Sequence, residues 1–169
     1  SSAAVRTHDK AHILKYLSCD VDFKDVTDEL ICLGIFGPKS RDLLSKIINE
    51  DLSNENFKFG TGKNINLNSI DVWVQRLSYV GELGYELYIE KDNAKEIYNL
   101  IIDTGKDFNL THCGAHTMDT MRMECGFLHW GHDISPEENQ YQAGLNFAIS
   151  FKKPFNFIGK ENLLKIRDQ

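Results

Sequence analysis

Glu86 and Tyr88 stand on alternate positions of the stretch Arg76 to Ile89, RLSYVGELGYELYI, with Tyr79 a few residues earlier. An ionised carboxylate accepts hydrogen bonds through both oxygens. It can therefore grip the edge of a flat ring that carries an amine beside an amide N–H, as a pterin does, and charged acceptors form the stronger bonds. The Tyr79 phenol can stack on the same ring. Alternation predicts a strand pair, with Glu86 and Tyr88 on one face and Tyr85, Leu87 and Ile89 on the apolar other. The Gly81 to Gly84 segment supplies the backbone freedom of a tight reversal between the strands. The same pattern also fits an ordinary half-exposed hairpin whose Glu86 sits in water.

Other reactive side chains are less organised. His112 with His116, and His129 with His132, can each share a helical face, but neither pair carries an acidic signature, and zinc takes three or four protein ligands. No metal site is expected. Cys19, Cys32, Cys113 and Cys125 lie far apart, without the close pairing of a zinc knuckle or redox pair, and read as reduced structural thiols. Phe127 to Ile134, FLHWGHDI, concentrates aromatic rings and imidazoles just past Gly126. It either lines a site or covers the core.

The elements that must carry these residues follow from periodicity. His12 to Leu17 has helical spacing, and Val21, Phe23 and Val26 alternate after it. Leu30 to Phe36 is a continuous apolar run, read as a buried strand that Gly37 and Pro38 end before a helix with Leu43, Leu44, Ile47 and Ile48 inward. Ile65 with Leu67, and Val72 with Val74, mark two further strands. Asn93 can cap a helix striped by Ala94, Ile97, Tyr98 and Ile101, with Gly105 as its stop. A short strand near Cys113 and a helix over Ala115 to Cys125 come next. In that helix Met118, Met121 and Cys125 read as core filling, and Asp119 is placed to meet Arg122. Leu145, Phe147 and Ile149 alternate as one more strand, and a last helix begins near Lys160. The order predicts an α+β fold, an antiparallel sheet with helices on one face, in a ferredoxin-like split βαβ arrangement.

A length of 169 residues allows one substantial core, or one domain and part of another. The net charge of −6 argues against nucleic acid as the main partner. No apolar run approaches the roughly 20 residues of a membrane span, and the opening residues lack the basic-then-apolar order of a secretory signal. A cytoplasmic location, or the mitochondrial matrix in a eukaryote, is the expectation. The small, unpatterned opening, Ser1 to Val5, reads as a cut edge with structure missing upstream.

Six segments resemble a known family in order and spacing: DVTDELICLGIFGPKSRDLL, EDLSNENFKF, RLSYVGELGYELYI, MDTMRMECGFLHWGHDI, AGLNFAI and FIGKENL. They are similar to the folate-binding C-terminal region of dimethylglycine and sarcosine dehydrogenases, and more widely to the glycine-cleavage T-protein, an aminomethyltransferase. The resemblance implies part of a folate-binding T-protein-like domain at 1–26, the ferredoxin-like α+β domain at 27–114, and a return to the folate-binding domain over 115–169. It implies tetrahydrofolate as cofactor and an amine-derived one-carbon donor, with FAD only in a separate region or subunit, such as an upstream flavin domain. Carried over by motif, Glu86 matches the carboxylate that holds the pterin edge and Tyr79 the tyrosine near the ring. Leu87 and Tyr88 continue that wall, and Phe127 and Phe147 fall where the family has aromatics near the folate.

The implied reaction is capture of an iminium- or formaldehyde-level carbon by tetrahydrofolate, giving 5,10-methylenetetrahydrofolate. The family's catalytic aspartate belongs upstream of His8, so the residues present would orient rather than complete the chemistry. Met118 stands where T-proteins carry arginine, which places the chain with the flavin-linked dehydrogenases and away from glycine as donor. Gln142 replaces an acidic residue usual before Ala143-Gly144-Leu145. The alternatives are a noncatalytic folate-binding assembly module, whose Lys-Gly-Cys motif is missing here, and a methyltransferase moving methyl from a sulphonium donor to folate.

Overall fold

The computed structural model describes residues 3–167, so positions 1 and 2 of the unpatterned opening and 168 and 169 at the other end lie outside the described residues. Contact density divides the chain into two compact units, Ser1–Met118 and Asp119–Gln169. The division falls within a helix, α4, described below.

The first unit is built on a four-stranded antiparallel sheet of β1 (Leu30–Phe36), β2 (Gly62–Leu67), β3 (Ile70–Gln75) and β4 (Gly84–Glu90), in the order β1-β4-β3-β2. Asn68 and Ser69 both take positive φ, which closes the β2–β3 hairpin in the twist that suits paired strands. The helix α2 (Ser40–Leu44) follows β1, and α3 (Ala94–Gly105) follows β4. Both pack on one face of the sheet, where Ile35, Ile65, Leu67, Val72, Val74, Tyr85, Leu87 and Ile89 meet Leu43, Leu44, Ile48, Ile97 and Ile101. The α+β layering thus matches the sequence pattern. The split βαβ arrangement does not: it needs the two strands joined through a helix to run parallel with an antiparallel strand between them, whereas β1 and β2, joined through α2, lie at opposite edges and run antiparallel. Three hairpin-connected strands with β1 returning beside the last make a Greek-key order.

Local departures have physical causes. Leu30–Phe36 is an edge strand, paired along its length with β4 alone, so Ile31 and Cys32 remain exposed despite the apolar run. The partner of β4 in the expected tight hairpin is Ile70–Gln75, not Arg76 to Val80. The connection 76–83 is an irregular loop tied at one end by Arg76 N–H to Thr61 O (2.9 Å) and at the other by Gly37 N–H to Leu83 O (2.8 Å). The α-helix ends at Gly105, but not through a left-handed glycine: the Gly105 backbone is right-handed, and the chain turns at Asn109 (φ 58°) after a short 3-10 segment. What Gly105 provides is closeness, since a Cβ there would meet Leu110 Cβ at 2.6 Å. No strand forms near Cys113.

The helix α1 (Arg6–Tyr16) exposes Ile13 and Leu14 and is tied to the 25–28 segment by Arg6, whose Nε lies 2.8 Å from Asp25 and Nη2 3.0 Å from Asp28. Those guanidinium hydrogen bonds hold both carboxyls below their ordinary range. Val21, Phe23 and Val26 alternate without forming a strand.

The helix α4 (Ala115–Glu124) reverses the expected burial. Of the expected core stripe, Met118 and Cys125 are exposed and Met121 is half-buried, while Arg122 is the buried side chain at 2 %. In the second unit Asn146–Ala148 is a 3-10 turn where alternation of Leu145, Phe147 and Ile149 predicted a strand, because no neighbouring strand offers it a ladder. The helix α5 (Lys160–Arg167) closes the unit and buries Leu163. Among the described residues no helix is long and apolar enough to cross a membrane.

Candidate functional site

The sheet has a covered face and an open one. Residues paired directly across an antiparallel ladder share a face. The register Cys32↔Tyr88 and Gly34↔Glu86 on one side of β4, with Trp73↔Tyr88 and Gln75↔Glu86 on the other, assembles these side chains on the open face. Glu86 and Tyr88 are half-buried there, and Trp73 is 40 % exposed. A shallow trough of about 510 Å³ runs along this face, lined by Leu30, Asn64, Asp71, Trp73, Gln75, Tyr88 and Glu90.

The centre of the face is a hydrogen-bonded pair. The Tyr88 hydroxyl donates to Glu86 Oε2 at 2.7 Å. That bond, then partial desolvation and the Glu86 charge, push the phenol well above the ordinary tyrosine range. Tyr88 is thereby locked as a donor, and Glu86 keeps acceptor capacity for a further partner. Cys32 stands across from Tyr88 as a free thiol; partial desolvation, reinforced by the Glu86 carboxylate, raises it above the usual thiol range.

Glycines shape the surface around the pair. A Cβ at Gly62 would come within 2.6 Å of Trp73 Cζ2, so the indole lies over that glycine. A Cβ at Gly34 or at Gly84 would come within 2.5 Å of the Phe36 ring. The ring therefore rests on the sheet beside Glu86.

Of the residues singled out by sequence, Glu86 and Tyr88 are brought together. The Leu87 side chain points the opposite way and is fully buried in the core, so it lies behind the wall rather than on it. Tyr79 sits half-buried in the 76–83 loop, not on a strand. Phe127 and Phe147 belong to the second unit, at 40 % and 83 % exposure. Phe36, Trp73 and Gln75 escaped sequence reasoning, since only the strand register places them beside Glu86. The signal for Phe36 was present in LGIFG, where glycines flank an aromatic in a strand pattern.

Among its described residues, the second unit holds one buried charge network. Arg122 donates to Asp133 in a short ion pair, to Asp119 at 3.2 Å and to the Phe127 carbonyl at 3.0 Å. Asp133 also accepts the His129 N–H at 2.7 Å, and this bond, with the guanidinium, holds its carboxyl below the ordinary range. His129 and His132 stack with ring centres 5.9 Å apart. The FLHWGHDI loop is thus wrapped around Arg122. Among the described residues no group of three or more His, Cys, Asp or Glu is arranged to hold a metal ion.

Residues 1–153 match the GCVT N-terminal domain family. The chain is 44 % identical over 142 residues to a 4-methylaminobutanoate oxidase (formaldehyde-forming) of Paenarthrobacter nicotinovorans, covering 84 % of this chain and 17 % of that protein. It is 38 % identical over 148 residues to the mitochondrial dimethylglycine dehydrogenase of Homo sapiens, covering 88 % of this chain and 17 % of the dehydrogenase. An aminomethyltransferase of Caldanaerobacter subterraneus is 35 % identical over 149 residues, covering 88 % of this chain and 39 % of the relative. The chain thus spans about a sixth of the length of the oxidase and the dehydrogenase. Among solved structures, the heterotetrameric sarcosine oxidase from Corynebacterium sp. U-96 shares the fold at a TM-score of 0.50 and 17 % identity, over 68 % of this chain and 55 % of that one. With nearly its whole length matched to one domain family and to relatives of this identity, the chain belongs to the GCVT N-terminal domain family.

Proposed function

We propose that this chain is the tetrahydrofolate-binding, one-carbon-transferring portion of a flavin-linked amine dehydrogenase of the dimethylglycine and sarcosine dehydrogenase type, or of a close aminomethyltransferase relative. The observation that carries this reading is Glu86, a carboxylate steadied by Tyr88 on an open sheet face, in a chain whose relatives include an aminomethyltransferase. One Glu86 oxygen accepts the Tyr88 hydroxyl hydrogen bond, and a carboxylate offers about four lone-pair sites, so an amine beside an amide N–H can still be held edge-on. The relatives' names, dimethylglycine dehydrogenase and a formaldehyde-forming oxidase of 4-methylaminobutanoate, favour an N-methylated amine as carbon donor.

Tetrahydrofolate, when bound, supplies the nucleophilic nitrogens that accept a carbon at the formaldehyde level. The chain's own contribution is orientation, which accounts for roughly 7 to 11 kcal/mol in ideal cases. Glu86 sets the ring edge and Tyr88 fixes the Glu86 carboxylate. Tyr88 is no base, because its phenol stays protonated at neutral pH. Tyr79 is a further aromatic candidate beside Glu86, with Leu87 as the packed layer beneath; Phe127 and Phe147, in the second unit, rest on the family resemblance alone. FAD belongs to a separate region or subunit, since the chain carries no Gly-rich dinucleotide fingerprint.

Titration calorimetry of the full-length protein with tetrahydrofolate tests the reading. Glu86→Gln is expected to weaken binding by roughly 1.5 to 3 kcal/mol, the range for a hydrogen bond to a charged group. Equal affinity for variant and parent removes Glu86 from the site and the proposal with it.

A further inference from the structure

Resting on the folate reading above, we infer that Phe36 is the aromatic surface on which the heterocycle gripped by Glu86 stacks. The register sets Gly34 directly across from Glu86 and Gly84 directly across from Phe36, so these four positions form one square on the open face. A side chain at Gly34 would stand 2.5 Å from Phe36 Cε2 and 2.7 Å from Cζ, and one at Gly84 would stand 2.5 Å from Cδ1. The Phe36 ring therefore leans back along β1 and occupies the space above both glycines. Gly84 is buried beneath the ring and the 76–83 loop, while the ring itself keeps part of its surface in solvent.

Neither glycine takes a left-handed backbone, so no turn calls for them. Glycine weakens a strand interior, and its common reason there is the close approach of another group. At Gly34 the group is the Phe36 ring, and at Gly84 it is the ring together with Leu77 O and Ser78 Cβ of the 76–83 loop. On the other side of Glu86 along β4, Tyr88 has committed its hydroxyl to Oε2. Glu86 is thus bracketed, with a hydrogen-bonded phenol on one flank and a partly exposed phenyl ring on the other. A flat ligand held in the plane of the carboxylate meets Phe36 as its apolar neighbour, and offset stacking of aromatic systems is favourable beyond the area it buries.

The test is calorimetry on the full-length protein with two probes, tetrahydrofolate and a tail-free tetrahydropterin. Phe36→Leu keeps apolar bulk but removes the ring, and should raise the Kd of both probes about threefold to tenfold. Phe36→Tyr keeps the ring and should bind like the parent. Gly34→Ala, which displaces the ring without altering it, should weaken both probes in the same direction. Glu86→Gln serves as the reference. If it weakens binding while Phe36→Leu leaves both probes unchanged, stacking on Phe36 is overturned and the folate reading stands. If neither variant changes affinity, the folate reading fails and takes the Phe36 assignment with it. Loss confined to tetrahydrofolate would move Phe36 to the folate tail and likewise overturn ring stacking.

Discussion

The Tyr88 hydroxyl reaches back along one face of β4 to Glu86 Oε2, at 2.7 Å. The bond joins a donor that cannot readily ionise to a carboxylate with capacity to spare. Because the folded phenol titrates above its ordinary value, its contribution to stability is complete below the ordinary tyrosine range and is lost as pH climbs through the raised folded value. Ultraviolet titration should therefore find the Tyr88 phenolate appearing above the ordinary tyrosine range. Glu86→Gln should bring it back toward the ordinary range, because the hydrogen bond to the carboxylate is the largest cause of the shift. An unchanged titration curve in that variant would contradict the pairing.

Leu87 supplies the complementary test. Its side chain is fully buried on the core face, so Leu87→Ala should lower stability by about 2–5 kcal/mol, as core truncations do. The folded fraction should still bind tetrahydrofolate with parental affinity. Thermal melts and calorimetry on the same preparation separate the two effects, and a large affinity loss at full folding would place Leu87 on the wrong face.

Gly105→Ala sets two magnitudes against each other. Alanine improves helix propensity by about 1 kcal/mol, and the Gly105 backbone is already helical. The new Cβ would, however, meet Leu110 Cβ at 2.6 Å, and overpacking costs typically 1–3 kcal/mol. The clash should prevail by about 1 kcal/mol. Adding Leu110→Ala should cost less in the Gly105→Ala background than in the parent, a coupling that a double-mutant cycle in urea can read.

Arg122 is the buried charge of the second unit. Arg122→Leu removes the guanidinium that Asp119, Asp133 and the Phe127 carbonyl all use, and should cost about 2–3 kcal/mol. That is below the cost of a wholly buried pair, because the carboxylates keep some water. Asp133 has a lowered folded pKa, so its stabilising contribution is present above the ordinary carboxylate value and disappears as pH falls through the folded one. Acid unfolding followed by circular dichroism should shift to higher pH in Asp133→Asn.

Local periodicity made much of the fold legible. The apolar run at Leu30–Phe36, the alternation of Val72 and Val74 and the helical stripe through Ile97 and Ile101 each correspond to an observed element. Long-range pairing was not legible. Tyr79 lies in an alternating segment, yet the ladder of β4 is taken by Ile70–Gln75, which leaves Tyr79 in a loop. Likewise Phe147 alternates with its neighbours but has no strand to pair with. Spacing paired Arg122 with Asp119 on the same helix; the further partner that lets it be buried, Asp133, comes from the following loop. Of the site, the Glu86–Tyr88 pair followed from spacing alone, whereas Phe36 and Trp73 needed the register.

Strand β4 carries the hydrocarbon seal and the polar grip on alternate residues of one ribbon. A slip of one position would drive the Glu86 charge into oil and turn Leu87 out to water, so misregistered molecules forfeit solubility and recognition together. Under the proposed folate grip by Glu86, ligand capture would therefore also be a proofreading signal: a population that binds has, by that fact, aligned its sheet.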